Sequence, residues 1–254
     1  MPILIVFFAL FGLVIGSFLT VLAHRLPSEE PFALDRSRCP DCGHQIAAYD
    51  NIPLVSWVLL RGRCRHCGEP ISIRYPLSEL ALAAAFVGAL LRFEGDAAGI
   101  ALACVFSATL LTITLTDLEY RLIPNKVLIA SLLVGAAIAI PTDPDGLPER
   151  VIAAAAAFGV LFLVAVAYPR GMGMGDVKLA GLMGFYLGRA VAPALLIGFL
   201  VGALWGLALI ARHGAEARKQ AVPFGPFLAL GGMIGLFAGD EIVDWYLDSF
   251  FEGS

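Results

Sequence analysis

Eight apolar stretches, at residues 3–23, 76–93, 97–116, 126–140, 151–168, 177–187, 190–211 and 223–246, occupy most of this 254-residue chain. About 20 apolar residues cross the hydrocarbon core of a bilayer as an α-helix, and in that solvent backbone polar groups must be satisfied within the protein. The chain is therefore expected to be an all-α polytopic membrane protein of about eight transmembrane helices. Composition agrees: 59% of residues are hydrophobic and only 15% are charged, where a soluble domain carries roughly 25% charge. The first stretch has no basic residues ahead of it and no Ala-x-Ala site after it, so it is read as a retained helix rather than a leader. The sixth is short and glycine-rich, and least resembles a full span.

Basic residues give the orientation. With the N-terminus outside and all eight stretches crossing, only Arg92, Arg150 and Arg189 fall in outer loops, which leaves 14 of the 17 basic residues inside. That asymmetry is what the positive-inside rule demands. If the sixth stretch did not cross, the basic segment ARHGAEARKQ would lie outside, so the charges favour eight crossings. The alanine run 153–157 offers a surface on which another helix can approach closely.

One long polar segment, residues 24–75, interrupts the pattern and divides the chain into a first helix (1–23), a cytoplasmic tetra-cysteine domain (24–75) and a transmembrane core (76–254). The polar segment contains CPDCGH and CRHCGE, which place Cys39, Cys42, Cys64 and Cys67 at the spacing C-x2-C-x21-C-x2-C. Four thiolates at such spacing suit a tetrahedral zinc ion in a closed, structural site. The glycine after each pair, Gly43 and Gly68, allows the tight turn that aims both sulfurs at one ion. The competing reading is two incidental or redox-active pairs. His44 and His66 adjoin the ligands without being needed as ligands, and Cys104 is expected to be a small buried residue in an apolar run. The segment's basic residues are offset by Glu29, Glu30, Asp35, Asp41, Asp50 and Glu69, so no nucleic-acid partner is expected.

Two acids stand at apolar boundaries on the inner side: Asp117 at the end of LLTITLTDLEYRLIPNKV, and Asp176 at the start of GMGMGDVKLAGL. Ionisable groups at such depth are costly and face a protein interior or a watery cavity. Two carboxylates that share a site cannot both ionise easily, so one keeps its proton and the pair works as acid and base. The ionised member would draw a proton from water as it attacks a peptide carbonyl, and the protonated member would assist the leaving amine. Against this stands the plainer reading that each acid marks a helix end, since 59 residues separate them. Lys178 reads either as an inward-facing anchor or as a charge that tunes the carboxylates. The alternating Gly171, Gly173 and Gly175 lie between membrane segments, where a phosphate-binding strand–loop–helix unit has no place. A close approach of backbone to another helix or to an extended substrate fits better.

GMGMGDVK resembles the GxGD motif of the polytopic aspartyl proteases, and DLEYRLIPN resembles the first-aspartate motif of the bacterial type IV prepilin leader peptidases. The cysteine segment through ISIRYPLSEL is similar to that family's large cytoplasmic domain, and GSFLTVLAHRLP and PFGPFLALGG also match, with Thr20 where the family commonly has asparagine. The resemblance implies a bifunctional inner-membrane enzyme. It would cleave prepilins or type II secretion pseudopilins after glycine on the cytoplasmic side, then N-methylate the new N-terminus using S-adenosylmethionine. Asp117 and Asp176 carry over as the catalytic pair, with Gly173, Gly175, Lys178, Pro124 and Asn125 as supporting motif residues. The residues themselves identify no S-adenosylmethionine site. Prepilins and membrane lipid are the implied partners. A non-enzymatic scaffold or transporter that docks partners through a zinc ribbon is the alternative.

Overall fold

The computed structural model describes residues 1–26, 38–168, 171–214 and 222–250. Arg36, Arg170, Arg218 and Lys219 of the basic loops, and Glu29, Glu30 and Asp35 of the polar segment, lie outside them. Nine α-helices are described: α1 Pro2–Arg25, α2 Val55–Leu59, α3 Arg74–Arg92, α4 Ala97–Tyr120, α5 Asn125–Thr142, α6 Leu147–Ala167, α7 Met174–Leu187, α8 Val191–His213 and α9 Gly225–Phe250. No strand is present among the described residues; isolated bridges join Arg38 to Gln45 and Arg63 to Pro70. The chain divides into two units, Met1–Gly95 and Asp96–Ser254.

In the first unit α1 and α3 pack closely. Gly12 and Gly16 of α1 make the contact: a Cβ at Gly16 would lie 2.8 Å from the Glu79 Cα, and one at Gly12 would run into the Ala83 backbone. Gly12 with Gly16 is a G-x3-G spacing, which removes side chains where transmembrane backbones must meet. One turn further on, Thr20 Oγ1 and Ser78 Oγ lie 2.8 Å apart. The residue that departs from the family pattern thus still makes an interhelical hydrogen bond. Between α1 and α3 the chain forms the two cysteine turns and the short α2.

The second unit is a bundle whose helix directions follow from its contacts. Asp117 of α4 meets Gly225 of α9, and Leu110 meets Gly232, so α4 and α9 are antiparallel. Tyr186, near the far end of α7, stacks on Phe106 of α4 with ring centroids 4.8 Å apart. Asp176, at the near end of α7, lines the same cavity as Asp117. α7 is therefore antiparallel to α4. Gly198 of α8 touches Leu228, and Gly239 of α9 touches Ala190, which makes α8 and α9 antiparallel and closes α7 and α8 into a hairpin.

Among the described residues, seven segments are long and apolar enough to span a membrane, with Met174–Arg212 counted as one. The chain reverses inside that segment at Gly188, whose φ of +55° favours glycine. α7 has only 14 residues, about 21 Å at 1.5 Å per residue, and is packed on its buried side by Val177, Leu179, Ala180 and Met183. Arg150 terminates it by donating to the carbonyl oxygens of Phe185 and Tyr186 at 3.4 and 3.3 Å. The alanine run on α6 supplies a face for α7. A Cβ at Gly184 would strike the Ala153 and Ala154 backbone, and Ala157 is buried while Ala155 and Ala156 are exposed.

Candidate active site and metal centre

α4 carries Asp117 in its last turn. Thr112 and Thr116 before it bond carbonyl oxygens of their own helix, at 2.8 and 3.1 Å, and so take no part in holding the acid. Arg121 ends the helix in the left-handed region, with φ +54°. Pro124, in extended backbone, then starts α5. This turn delivers Ile123 to the glycine segment of α7: a Cβ at Gly175 would lie 3.0 Å from the Ile123 Cβ. Gly173 caps the start of α7, and a Cβ there would lie 3.2 Å from the Asp176 Oδ2. Gly175 thus leaves room for the Ile123 side chain, and Gly173 for the Asp176 carboxylate.

Asp117 and Asp176 line one cavity of about 600 Å³, close enough for their charges to interact. Asp117 is only 6% exposed. Its Oδ2 accepts a hydrogen bond from the backbone N–H of Gly225 at 2.8 Å, which also satisfies a free amide at the start of α9. The cavity is completed by Arg121, Ile123, Asn125, Met172, Lys178 and Phe224, among others. Lys178 Nζ donates to Asn125 Oδ1 at 3.0 Å. It ties the α7 motif to the α4–α5 motif. Pro124, with φ −70° and ψ 122°, shapes the turn that leads into α5.

The sequence reading did not single out Gly225. Its signal was PFGPF, where Pro223 and Pro226 fix where α9 can begin, but nothing in that pattern named the helix end it would meet. Arg121 was likewise passed over; its charge acts on Asp117.

In the other unit the four cysteine sulfurs lie within 4.8 Å of one another and could hold a metal ion. The two turns are built alike. Cys39 N–H donates to the His44 carbonyl at 2.9 Å, and Gly43 N–H to the Cys39 carbonyl at 2.9 Å. Cys64 N–H donates to the Glu69 carbonyl at 2.8 Å, and Gly68 N–H to the Cys64 carbonyl at 3.0 Å. Gly43 and Gly68 have φ of +68° and +77°, so the backbone requires them. Backbone N–H groups of Cys67 and His66 draw the Cys64 thiol down to about 7, while, against the Glu69 N–H, burial and the neighbouring thiols push Cys67 up to about 12. The His44 and His66 rings meet at a 34° tilt with centroids 3.4 Å apart, and neither belongs to the sulfur group. Cys104 lies half-buried in α4, apart from that group.

Sequence models of known families match both units. The bacterial peptidase A24 N-terminal domain matches residues 10–93, and the type IV leader peptidase family matches residues 104–207. The chain is 38% identical to a prepilin leader peptidase/N-methyltransferase of Aeromonas hydrophila, over 95% of this chain and 93% of that protein. It is 35% identical to the protein of that name from Bacillus subtilis, over 94% and 96%. A third, from Stutzerimonas stutzeri, is 35% identical over 93% and 91%. No solved structure matches the chain.

Proposed function

The chain belongs to the type IV leader peptidase family, and we propose that Asp117 and Asp176 are the catalytic pair of its peptidase. The enzyme removes the leader of prepilins and carries N-methyltransferase activity, as its relatives are named. One observation carries the site assignment: the two acids line a single cavity although they sit on different helices. One carboxylate takes a proton from the attacking water while the other, protonated, bonds the peptide carbonyl and passes its proton to the leaving amine. Gly225 orients Asp117 through its N–H, and Gly173 and Gly175 keep side chains out of the approach to Asp176. The Lys178–Asn125 hydrogen bond holds the two motifs in register.

The substrates are prepilins or pseudopilins, cut after glycine. The setting is a bacterial inner membrane, with the N-terminus outside and the acid pair toward the cytoplasm. Charge placement supports this: Arg121, Lys126 and Lys178 cluster at the acid end, while Arg150 and Arg189 at the other end are paired with Asp143, Asp240 and Asp244. The names of the relatives support the peptidase over a scaffold or transporter.

The cysteine site is read as structural zinc. In a tetrahedron with Zn–S of about 2.3 Å the sulfurs stand about 3.8 Å apart, and Cys39 and Cys67 are separated by 3.8 Å. The methyl group is drawn from S-adenosylmethionine, which supplies a sulfonium-activated carbon. Incubating membranes with a prepilin, with and without S-adenosylmethionine, and weighing the product's N-terminus tests both activities. A prepilin left uncut would overturn the peptidase reading.

A further inference from the structure

The short helix α2 is tied into the first unit at a definite depth. The Leu54 backbone N–H, at its start, donates to Glu79 Oε2 at 2.7 Å. Glu79 is buried on α3, with Gly16 of α1 against its Cα. It stands five residues beyond Arg74, which opens α3, or about 7.5 Å along the axis at 1.5 Å per residue. α1 and α3 are both long and apolar enough to span a membrane. The headgroup region on each side of a bilayer is about 5–7 Å deep. With Arg74 among the headgroups, the Leu54–Glu79 bond places the start of α2 where the acyl chains begin.

α2 has an inner and an outer face. Ser56 Oγ donates to the Tyr49 carbonyl at 2.9 Å and Trp57 Nε1 to the Ile71 carbonyl at 3.1 Å, which turns both side chains into the segment. Val55, Val58 and Leu59 are left outside, at 50%, 60% and 76% exposure. They stand at i, i+3 and i+4, one side of a helix. Leu77 and Leu80 of α3, on either side of Glu79 in sequence, are exposed as well, so both elements present apolar surface at this depth. Cations follow directly. Arg61 and Arg63 close α2 by donating their N–H groups to the Val58 and Leu60 carbonyls at 3.0 and 3.1 Å, and their side chains are exposed, as is that of Arg74. Of the acids in the segment, Asp50 is already paired with Arg65 at 2.6 Å, and Asp41 and Glu69 belong to the cysteine turns. Leu54 and Arg61, at the two ends of α2, have φ of +61° and +53°, which residues with side chains rarely adopt and keep only where their surroundings require it.

An apolar helix face rimmed by guanidinium groups matches the boundary of a phospholipid leaflet, with acyl carbon on one side and phosphate oxygen on the other. We propose that α2 is an interfacial helix that seats the tetra-cysteine segment on the membrane spanned by α1 and α3. Val55, Val58 and Leu59 enter the acyl boundary, and Arg61, Arg63 and Arg74 bond lipid phosphates. The two cysteine turns, which flank α2 in sequence, are thereby held at the membrane surface. This contact is independent of the acid pair, which lies within residues 96–254. A second copy of the chain and a bound prepilin are the other occupants of such a face, and the test separates both from lipid.

Full-length protein carrying Trp205→Phe and Trp245→Phe is placed in phospholipid nanodiscs at one chain per disc, and Leu59→Trp is added as a depth probe. The fluorescence gained at position 59 should be lost in lipid brominated near the head of the acyl chain, and lost less in lipid brominated near the chain end. Val55→Trp repeats the measurement on the same face if Leu59→Trp does not fold, which proteolysis of residues 38–73 reports. In protein with its natural tryptophans, Val58→Ser combined with Leu59→Ser should quicken amide exchange of residues 55–60 in the discs roughly 10- to 100-fold, the worth of burying one leucine side chain. Arg61→Gln combined with Arg63→Gln should weaken the quenching at position 59; unchanged quenching overturns the share given to the arginines. Fluorescence indifferent to both brominated lipids overturns the proposal. So does shielding of position 59 that appears only with two chains per disc, which assigns the face to a second copy. Lipid quenching that disappears when prepilin is added assigns it to the substrate and overturns it too.

Discussion

The backbone N–H of Gly225 donates a 2.8 Å hydrogen bond to the Asp117 carboxylate, across 108 residues of sequence. The bond exists because α4 ends where α9 begins, and because residue 225 has no side chain. A Cβ there would stand 2.8 Å from that same carboxylate oxygen and 3.2 Å from the Asp117 Cβ.

Gly225→Ala keeps the N–H but forces Asp117 to shift. Displacing a catalytic group by about 1 Å can cost on the order of 100-fold in rate. Leader removal by membranes containing Gly225→Ala is therefore expected to fall by about that factor, with insertion and methylation of a pre-cut prepilin unaffected. Full cleavage would mean that Asp117 is not held through this contact.

Asp117→Asn and Asp176→Asn each remove one half of the acid–base pair while preserving size. Such a loss is worth roughly 100- to 10,000-fold. Each variant should insert normally and leave prepilin uncut in a timed membrane assay read by gel shift. Substantial cleavage by either one would remove that residue from the pair.

The Lys178–Asn125 hydrogen bond joins the two motifs at 3.0 Å. Lys178→Met and Asn125→Ala should each slow leader removal. If they act through this bond, the double variant should be little worse than the poorer single one, with a coupling of about 0.5–3 kcal/mol. Strictly additive losses would show that the two side chains work independently.

Much of this was legible in the sequence because the relevant physics is local. The apolar stretches gave the helices, since a bilayer demands segment length and internal hydrogen bonding of each one separately. The glycines after the cysteine pairs gave the turns, since a positive φ is a property of one residue. The acids stood out because charge at an apolar boundary is costly wherever its partner is. What could not be read were relations between distant segments. The meeting of α9 with Asp117 and the pairing of Lys178 with Asn125 both depend on which helices become neighbours. The hydrogen bond from the Leu54 N–H to Glu79 is hidden for the same reason, since it joins positions 25 residues apart.

The cysteine turns make the last prediction. The full-length protein should carry about one zinc per chain by elemental analysis, as a four-thiolate site holds one ion. Replacing Cys39 and Cys67 with serine should remove it. Because metal binding to such a small, loop-rich region is also its folding energy, the same variant should expose residues 38–73 to limited proteolysis while the helices stay protected. Gly43→Ala and Gly68→Ala separate metal binding from backbone cost. A Cβ at either position meets nothing within 4 Å, so the penalty is the left-handed conformation alone, about 1–2 kcal/mol. These variants should retain zinc but release it to a chelator roughly 10-fold more readily. Zinc-free protein with an intact, protease-resistant cysteine segment would refute the metal assignment.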